Sequence, residues 1–360
     1  MEKLRDETKD NNNNQRGENQ KYKPLAQKDS TTEKPLVVII DEESRSNLES
    51  LKFRWFSDGE SRNDKVYSIE TPKGEIKTIK GTLIDEPKLS EHAGEYLYFE
   101  LTSACNFSCR HCGIMNGLEH TPQGELIWSD AAYVTEEFAE TLGRALKGNP
   151  YPLLHRNIFL GGGEPLINPH KFAKIYSALS GLEKTTTIAT TNGCALPLKF
   201  EAFEDFVRGI SSPYIFLSCS TAHQQQYAKL AKSGRFPFQI PADVDPNVAL
   251  YEKAKIIGEH CSKLEIGFTI NVVENGRKVS STYTLNGDLR KYILESAKTK
   301  LSEEMRMPEI IQTEVDGYRQ PCSQGQELAI RSSGDIYPHC YDVFTRTNKL
   351  GVVGLLVGKE

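Results

Sequence analysis

The chain has 360 residues, of which 38% are hydrophobic, and its formal net charge is −5 at pH 7. This length allows two domains or one large α/β domain with appendages, and the acidic balance gives no electrostatic footprint for nucleic acid. No apolar stretch approaches the ~20 residues that a membrane-spanning helix needs, and the polar N-terminus lacks the pattern of a secretion signal. Eight cysteines without an export signal favour a reducing compartment, so we expect a cytoplasmic protein that binds neither nucleic acid nor a membrane.

The N-terminal segment, residues 1–34, is charged and of low complexity, with four consecutive asparagines at positions 11–14. A segment of this composition cannot bury enough apolar surface to offset the entropy that is lost on ordering. We therefore predict a disordered tail.

Residues 35–92 are predicted to form a small β-rich extension. The segment begins with the β-type run Leu36–Ile40, and apolar and polar side chains alternate over 75–84 after a turn-forming stretch at 71–74. This pattern indicates a hairpin that either covers the edge of a sheet or recognises a partner.

Three cysteines follow the first strand predicted in the next segment. The apolar run at 96–101 ends in a loop that contains Cys105, Cys109 and Cys112, with the spacing C-x3-C-x2-C. Because the loop already limits their separations, these thiolates can close around one metal centre. A [4Fe–4S] cluster takes four thiolates, so three leave one iron open for a ligand that is not protein.

Other interpretations of these cysteines stay open. Zinc would be held in a Cys3His tetrahedron that His111 or His120 completes, although zinc modules more often carry a second close pair of cysteines. A disulfide has less support, because nothing in the chain points to export.

From residue 93 to 315, β-type runs alternate with helical spacing, which predicts a parallel β/α arrangement. Residues 135–146 place Phe138, Leu142 and Leu146 on one helix face. The face predicted for the next helix consists of Phe172, Ile175, Tyr176 and Leu179. Six strand–helix units match a partial (β/α)6 barrel, which places its site at the carboxyl ends of its strands.

Short polar motifs stand at the ends of the next three predicted strands. These strands end in GGGEP at 161–165, TNG at 191–193 and SCS at 218–220. Glycines at the end of a strand let the backbone approach a ligand closely. Purely structural interpretations of these motifs also stay open. Glu164 could be a charge that stabilises a helix N-terminus, and the TNG motif could form a plain turn.

The cysteine spacing directly after a first strand resembles the signature of the radical SAM enzymes. The resemblance implies that the amino and carboxylate groups of S-adenosylmethionine (SAM) chelate the open iron. An electron, supplied by a low-potential flavodoxin or ferredoxin, then cleaves the sulfonium to methionine and a 5′-deoxyadenosyl radical that abstracts a hydrogen from the substrate. Family members usually carry an aromatic residue just before the third cysteine, where this chain has His111.

The resemblance also assigns residues to the cofactor. The GGE motif of the family holds the methionine amino group, the TNG strand end lies beside the cofactor, and many relatives read S-x-D where this chain has SCS. The cofactor contacts implied in this way are Gly162, Gly163, Glu164, Thr191, Asn192 and Ser218. No side chain that acts on the substrate can be named from the sequence.

Residues 316–360 resemble the start of a twitch or SPASM auxiliary domain, with a predicted hairpin between Cys322 and Cys340. No cysteine follows Cys340, so the ligand set of that domain is incomplete. Two interpretations stay open: these two cysteines bind a second iron–sulfur cluster, or the region is a short hairpin without a cluster.

The substrate is open between a peptide, as for a maturase, and a small metabolite, as for a dehydrogenase or isomerase. A hypothesis of another class is an iron–sulfur or zinc-binding partner protein without SAM chemistry.

Overall fold

The computed structural model describes residues 33–51, 65–85, 87, 89, 96–107, 109, 119–120, 133–147, 156–180, 182, 185–210, 214–219, 221–233, 244, 249–274, 277–280, 327–338 and 348–359. The chain divides into two units, residues 1–33 and 34–360, and the helices and strands below belong to the second. Apart from Glu33 and Lys34, the tail predicted at 1–34 lies outside the described residues, as do Cys112, Cys322 and Cys340.

The secondary structure alternates between strands and helices over most of the described ranges. The strands are β1 (Leu36–Ile40), β2 (Lys65–Glu70), β3 (Ile76–Asp85), β4 (Tyr96–Thr102), β5 (Ala104–Cys105), β6 (Glu119–His120), β7 (Arg156–Gly162), β8 (Thr185–Thr191), β9 (Tyr214–Ser218), β10 (Gly267–Glu274), β11 (Arg277–Ser280), β12 (Glu327–Ile330), β13 (Asp335–Tyr337) and β14 (Gly351–Lys359). The α-helices are α1 (Glu42–Leu51), α2 (Glu136–Lys147), α3 (Pro169–Leu179), α4 (Phe200–Ile210), α5 (Thr221–Ser233) and α6 (Ala249–Lys263). No helix within the described ranges is long and apolar enough to span a membrane.

A 12-stranded sheet organises the fold, in the order β1-β3-β2-β14-β13-β12-β4-β7-β8-β9-β10-β11. The central strands β12, β4, β7, β8, β9 and β10 are parallel to one another. Their carboxyl ends therefore meet at one edge, where β4 leads into the cysteine loop and β7 into the glycine motif. The predicted α/β class is confirmed, and the closure of these strands into a partial (β/α)6 barrel stays a prediction.

The strands from the two ends of the second unit form a closed ring. β1 pairs with β3 and β14, and β2 pairs with the same two strands, all antiparallel. The ring encloses a small apolar core formed by Val37, Ile39, Tyr67, Ile69 and Val352. The predicted β-rich extension thus shares one core with β14, whereas the predicted domain boundaries stay predictions.

Helices cover the parallel strands with the faces that their spacing predicts. α2 buries Phe138, Leu142 and Leu146, which confirms the predicted face. α3 begins at Pro169, after an N-cap in which the side chain of Asn168 accepts from the backbone N–H of Lys171. The residues that α3 buries are again those expected: Phe172, Ile175, Tyr176 and Leu179.

Candidate functional site

Two of the three predicted cluster ligands lie in the described part of the loop after β4. Cys105 is half-buried and Cys109 is buried. The backbone N–H of Phe107 donates to Cys105 Sγ, with an N···S distance of 3.3 Å. A hydrogen bond of this kind favours the thiolate that an iron ligand requires and tunes a cluster's potential. Among the described residues, which exclude Cys112, no group of three His, Cys, Asp or Glu side chains is arranged to hold a metal ion.

The glycine motif packs directly against the chain that leads into Cys105. The backbone N–H of Gly163 donates to Thr102 O at 2.8 Å, and that of Glu164 donates to Ala104 O at 2.8 Å. A Cβ on Gly162, which has φ +120°, would lie 2.3 Å from Thr102 O, and one on Gly163 would lie 2.0 Å from Ala104 O. Only glycine allows this approach, so the motif positions the cysteine loop.

The Glu164 carboxylate joins the ends of β7 and β8. Its Oε1 accepts from Thr191 Oγ1 at 2.7 Å and from the backbone N–H of Leu166 at 3.0 Å. Its Oε2 accepts from the backbone N–H of Asn192 at 2.7 Å. Burial raises the pKa of Glu164 to about 7, although these hydrogen bonds and Lys253 oppose the rise.

The role of Glu164 therefore combines the two interpretations of the sequence. As the structural interpretation expects, the carboxylate caps a helical turn, the 3₁₀ turn Pro165–Ile167. It also holds the TNG segment of β8 in place. The cofactor contact that the family resemblance assigns to this carboxylate stays a prediction.

Asn192 ties the end of β8 to the cysteine loop. Its Oδ1 accepts from the backbone N–H of Cys194 at 3.0 Å, and its Nδ2 donates to Asn106 Oδ1 at 2.6 Å. The same nitrogen lies 4.0 Å from Cys105 Sγ. The fold thus brings the TNG motif and the first predicted ligand into contact.

Ser218 lies at the same edge of the sheet, on β9. Thr191 and Leu217 are partners in the register of β8 and β9, which puts Ser218 one residue beyond that pair. Ser218 is half-buried and pairs in register with Asn271 of β10. The residue is therefore brought to the predicted site, one strand further from the cysteines than Asn192.

A buried lysine and a buried thiol also belong to this site, and the sequence analysis did not single them out. Lys253 of α6 donates through Nζ to the carbonyl oxygen of Cys194 at 3.2 Å. Burial lowers the pKa of Lys253 to about 8, against the opposing effects of Cys194 and Glu164. Burial also raises the pKa of the Cys194 thiol far above its ordinary value, which keeps it protonated. Lys253 shares the buried face of α6 with Leu250, a spacing that indicates burial but not the partner that Lys253 contacts.

A buried ion pair connects the C-terminal hairpin to β4 at the same edge. The Glu100 carboxylate, which is fully buried, accepts from Arg331 Nε at 3.0 Å and from Ser332 Oγ at 2.8 Å. Burial acts to lower the pKa of Arg331, but the Glu100 carboxylate outweighs that effect and raises it. Because a Cβ on Gly162 would lie 3.0 Å from Glu100 Cγ, the ion pair borders the glycine motif.

The described residues fit a cluster and a polar organic cofactor. The donor set in the loop is soft thiol sulfur, which suits an iron–sulfur cluster. The amide nitrogen of Asn106 is buried and has no hydrogen-bond partner among the described residues. A donor in that state is expected where a ligand supplies the acceptor.

Sequence comparisons relate the chain to two curated proteins, while no protein-family model matches it. It is 29% identical to the GTP 3',8-cyclase of Pelotomaculum thermopropionicum over 140 residues, which are 39% of this chain and 38% of that protein. It is 38% identical to molybdenum cofactor biosynthesis protein 1 of Mus musculus over 102 residues, 28% of this chain and 14% of that protein. Each match thus spans less than half of the relative's length. These two partial matches support the resemblance of the chain to radical SAM enzymes.

Solved structures of low similarity to this chain include three complexes. Native anSMEcpe with bound AdoMet and Cp18Cys peptide has a TM-score of 0.39 and 13% identity, over 71% of this chain and 77% of that one. BtrN in complex with AdoMet and 2-DOIA has a TM-score of 0.39 and 11% identity, over 74% of this chain and 78% of that one. Streptococcus suis SuiB bound to precursor peptide SuiA has a TM-score of 0.36 and 17% identity, over 73% and 64%. Structural similarities of this size support no inference about this chain.

Proposed function

We propose that the chain is an enzyme that holds a [4Fe–4S] cluster through Cys105, Cys109 and Cys112 and reductively cleaves SAM at the open iron. The observation that carries the proposal is the junction at Glu164 and Asn192. Through it, the ends of β7 and β8 are hydrogen-bonded to each other and to the loop of the first two cysteines. We also propose that the parallel strands form a partial (β/α)6 barrel, with this junction at the carboxyl ends of its strands.

When bound, the cluster and SAM supply the reductive cleavage of the sulfonium and the hydrogen abstraction. The chain's own residues bind and orient them. The three cysteine thiolates would hold the cluster, and the N–H of Phe107 would stabilise the negative charge on Cys105. Gly162 and Gly163 are the contacts that we propose for the methionine end, on the family resemblance, while their backbone packs against Thr102 and Ala104.

Further contacts to SAM are proposed at Thr191, Asn192 and Ser218, which stand at the ends of the next two strands. The hydroxyl of Thr191 is held by Glu164, so Thr191 acts mainly by keeping the strand ends in place. The low-potential electron donor, of flavodoxin or ferredoxin type, and the cytoplasmic location belong to the same proposal.

The substrate divides the proposal into two branches. A peptide substrate is supported by the resemblance of residues 316–360 to a SPASM region. In one version of this branch, Cys322 and Cys340 bind a second cluster. A small-metabolite substrate is supported by the name of the bacterial relative, which acts on GTP. Incubation of the reduced enzyme and SAM with GTP, and separately with peptides encoded beside its gene, distinguishes the branches by which substrate is altered.

The test of the proposed activity is anaerobic reconstitution followed by reduction in the presence of SAM. We expect 5′-deoxyadenosine and methionine from the wild type, and neither from the Cys105→Ala, Cys109→Ala or Cys112→Ala variants. Cys261→Ala is the matched control, because Cys261 is buried in α6 outside the proposed ligand set, and it should retain the activity. A chain that binds zinc, or a cluster without SAM cleavage, would support the partner-protein hypothesis instead.

A further inference from the structure

The side-chain amide of Asn106 has an orientation that the backbone fixes. The backbone N–H of Cys194 can only donate, so the Asn192 side-chain atom that it contacts at 3.0 Å must be the oxygen. The other end of the Asn192 amide is then the NH2 group, and the atom of Asn106 that lies 2.6 Å from it must be Oδ1. The Asn106 NH2 group therefore points away from Asn192.

That NH2 group is buried and lacks an acceptor among the described residues. The adjacent thiol of Cys194 is kept protonated by burial, although the Asn106 side chain acts to lower its pKa. A thiol is only a weak acceptor, and this one does not satisfy the NH2 group. A buried donor without an acceptor costs free energy that folding has to offset. The donor is therefore expected to be matched by a ligand.

The position of the donor indicates the kind of ligand. Asn106 follows Cys105 in the chain, and its Oδ1 lies 3.9 Å from Cys105 Sγ. The Asn106 amide thus borders the first cluster ligand of the proposed function. Acceptors at that place are the electron-rich sulfurs of the cluster and the carboxylate of a bound SAM.

We propose that Asn106 is a cofactor-binding residue whose NH2 group donates to an anionic acceptor beside Cys105, with Asn192 as the residue that orients it. The inference rests on the proposed function, since the acceptor belongs to the cluster or to SAM. The bonds between Asn192, Asn106 and the acceptor form a chain that couples the end of β8 to the cofactor. Neither the cysteine spacing nor the GGE motif assigns this role to Asn106.

The test compares reconstituted wild type with Asn106→Leu, which has a similar size but no donor. A second variant, Asn106→Asp, keeps the acceptor for Asn192 and loses only the NH2 group, so it can replace the leucine variant if that variant does not fold. Because only the aspartate variant adds a negative charge, the same change in both variants must come from the loss of the donor. Asn47→Leu is the matched control, because the Asn47 amide donates to Lys349 O, outside the site.

Two readouts locate the acceptor in proteins of equal iron and sulfide content. If it is a cluster sulfur, reduction of the SAM-free cluster becomes about tenfold less favourable in both variants, a shift of about 59 mV to lower potential. If it is the SAM carboxylate, that potential stays and the Kd for SAM rises about tenfold. If the reduction potential and the Kd for SAM are unchanged in both variants, the proposed role of Asn106 is wrong. The proposed function would still stand in that case, provided that the wild type cleaves SAM. Absence of a cluster or of cleavage in the wild type would overturn both.

Discussion

Glu164 is a carboxyl whose ionisation works against the fold. Its pKa is raised to about 7 by burial, so between pH 4.5 and 7 the folded chain binds more protons than the unfolded chain. Stability then falls as the pH rises through this window. The pKa of Lys253 is lowered to about 8, so the contribution of Lys253 to the free energy of unfolding changes at a pH above this window.

We therefore expect a pH-dependent difference between the wild type and Glu164→Gln, which cannot ionise. Loss of a hydrogen bond to Asn192 should lower the free energy of unfolding of the variant by the same amount at every pH. From pH 5 to pH 8, the wild type should in addition lose stability relative to the variant, on the order of 3 kcal/mol. Urea unfolding of both proteins at each pH measures the difference. A difference that stays constant over the range contradicts the raised pKa.

Gly163 is the position at which the proposed site tolerates a side chain least. Because a Cβ there would meet Ala104 O at 2.0 Å, Gly163→Ala should push β7 away from the cysteine loop and lower the iron content after reconstitution. Gly209→Ala is the control, since nothing lies within 4 Å of a Cβ at that position in α4. The control should be neutral or stabilising by up to about 1 kcal/mol. Equal iron content in the two variants would show that the close approach is not required.

Sequence patterns predicted the site residues whose roles depend on local spacing. The cysteines, the glycines and the TNG strand end all carry recognisable motifs. Asn106 and Lys253 do not, because their importance comes from partners distant in the chain, Asn192 and the carbonyl of Cys194. A contact between remote segments leaves no local periodicity to detect.

Among the elements, β12 depends on a buried charge pair with β4. Replacing Arg331 by Met leaves the fully buried Glu100 carboxylate without its cation, which should cost about 3–5 kcal/mol. The double variant Glu100→Gln, Arg331→Met should recover much of this loss. Chemical denaturation of the single and double variants measures both values. If Arg331→Met alone is neutral, the pair does not hold the hairpin to the sheet.

Elements with strong periodicity were predicted well, and those with little apolar content were not. α2 and α3 bury the residues expected from their spacing. α1 was not predicted, because Leu48 and Leu51 are its only large apolar residues. Its start depends instead on Asp41, whose carboxylate accepts from the backbone N–H of Ser44 at 2.9 Å.

At the scale of the molecule, the ring of β1, β2, β3 and β14 joins the two ends of the second unit. No local pattern predicts this closure, because β1 and β14 are separated by more than 300 residues of sequence, as the pair Leu36 and Leu355 shows. The sequence predicted the strands but left their partners open. The connection through β13 and β12 places this ring in the same sheet as the cysteine-bearing strand.

The ring makes a prediction that two valines of β14 can test. Val352 is buried in the ring core, whereas Val357 is 49% exposed. Val352→Ala should destabilise the chain by roughly 2 kcal/mol through lost burial and the resulting cavity, and Val357→Ala by less than about 0.5 kcal/mol. Thermal or urea unfolding compares them. Equal effects would mean that β14 does not close the ring.

The central claim, an iron that the three cysteines leave open for SAM, has one direct measurement. The reduced, reconstituted protein is mixed with SAM labelled with ¹⁵N in the amino group and ¹⁷O in the carboxylate, and hyperfine couplings are recorded by electron–nuclear double resonance. We expect both labels to couple to the cluster spin in the wild type. A reduced [4Fe–4S] cluster that shows neither coupling at saturating SAM would contradict the claim.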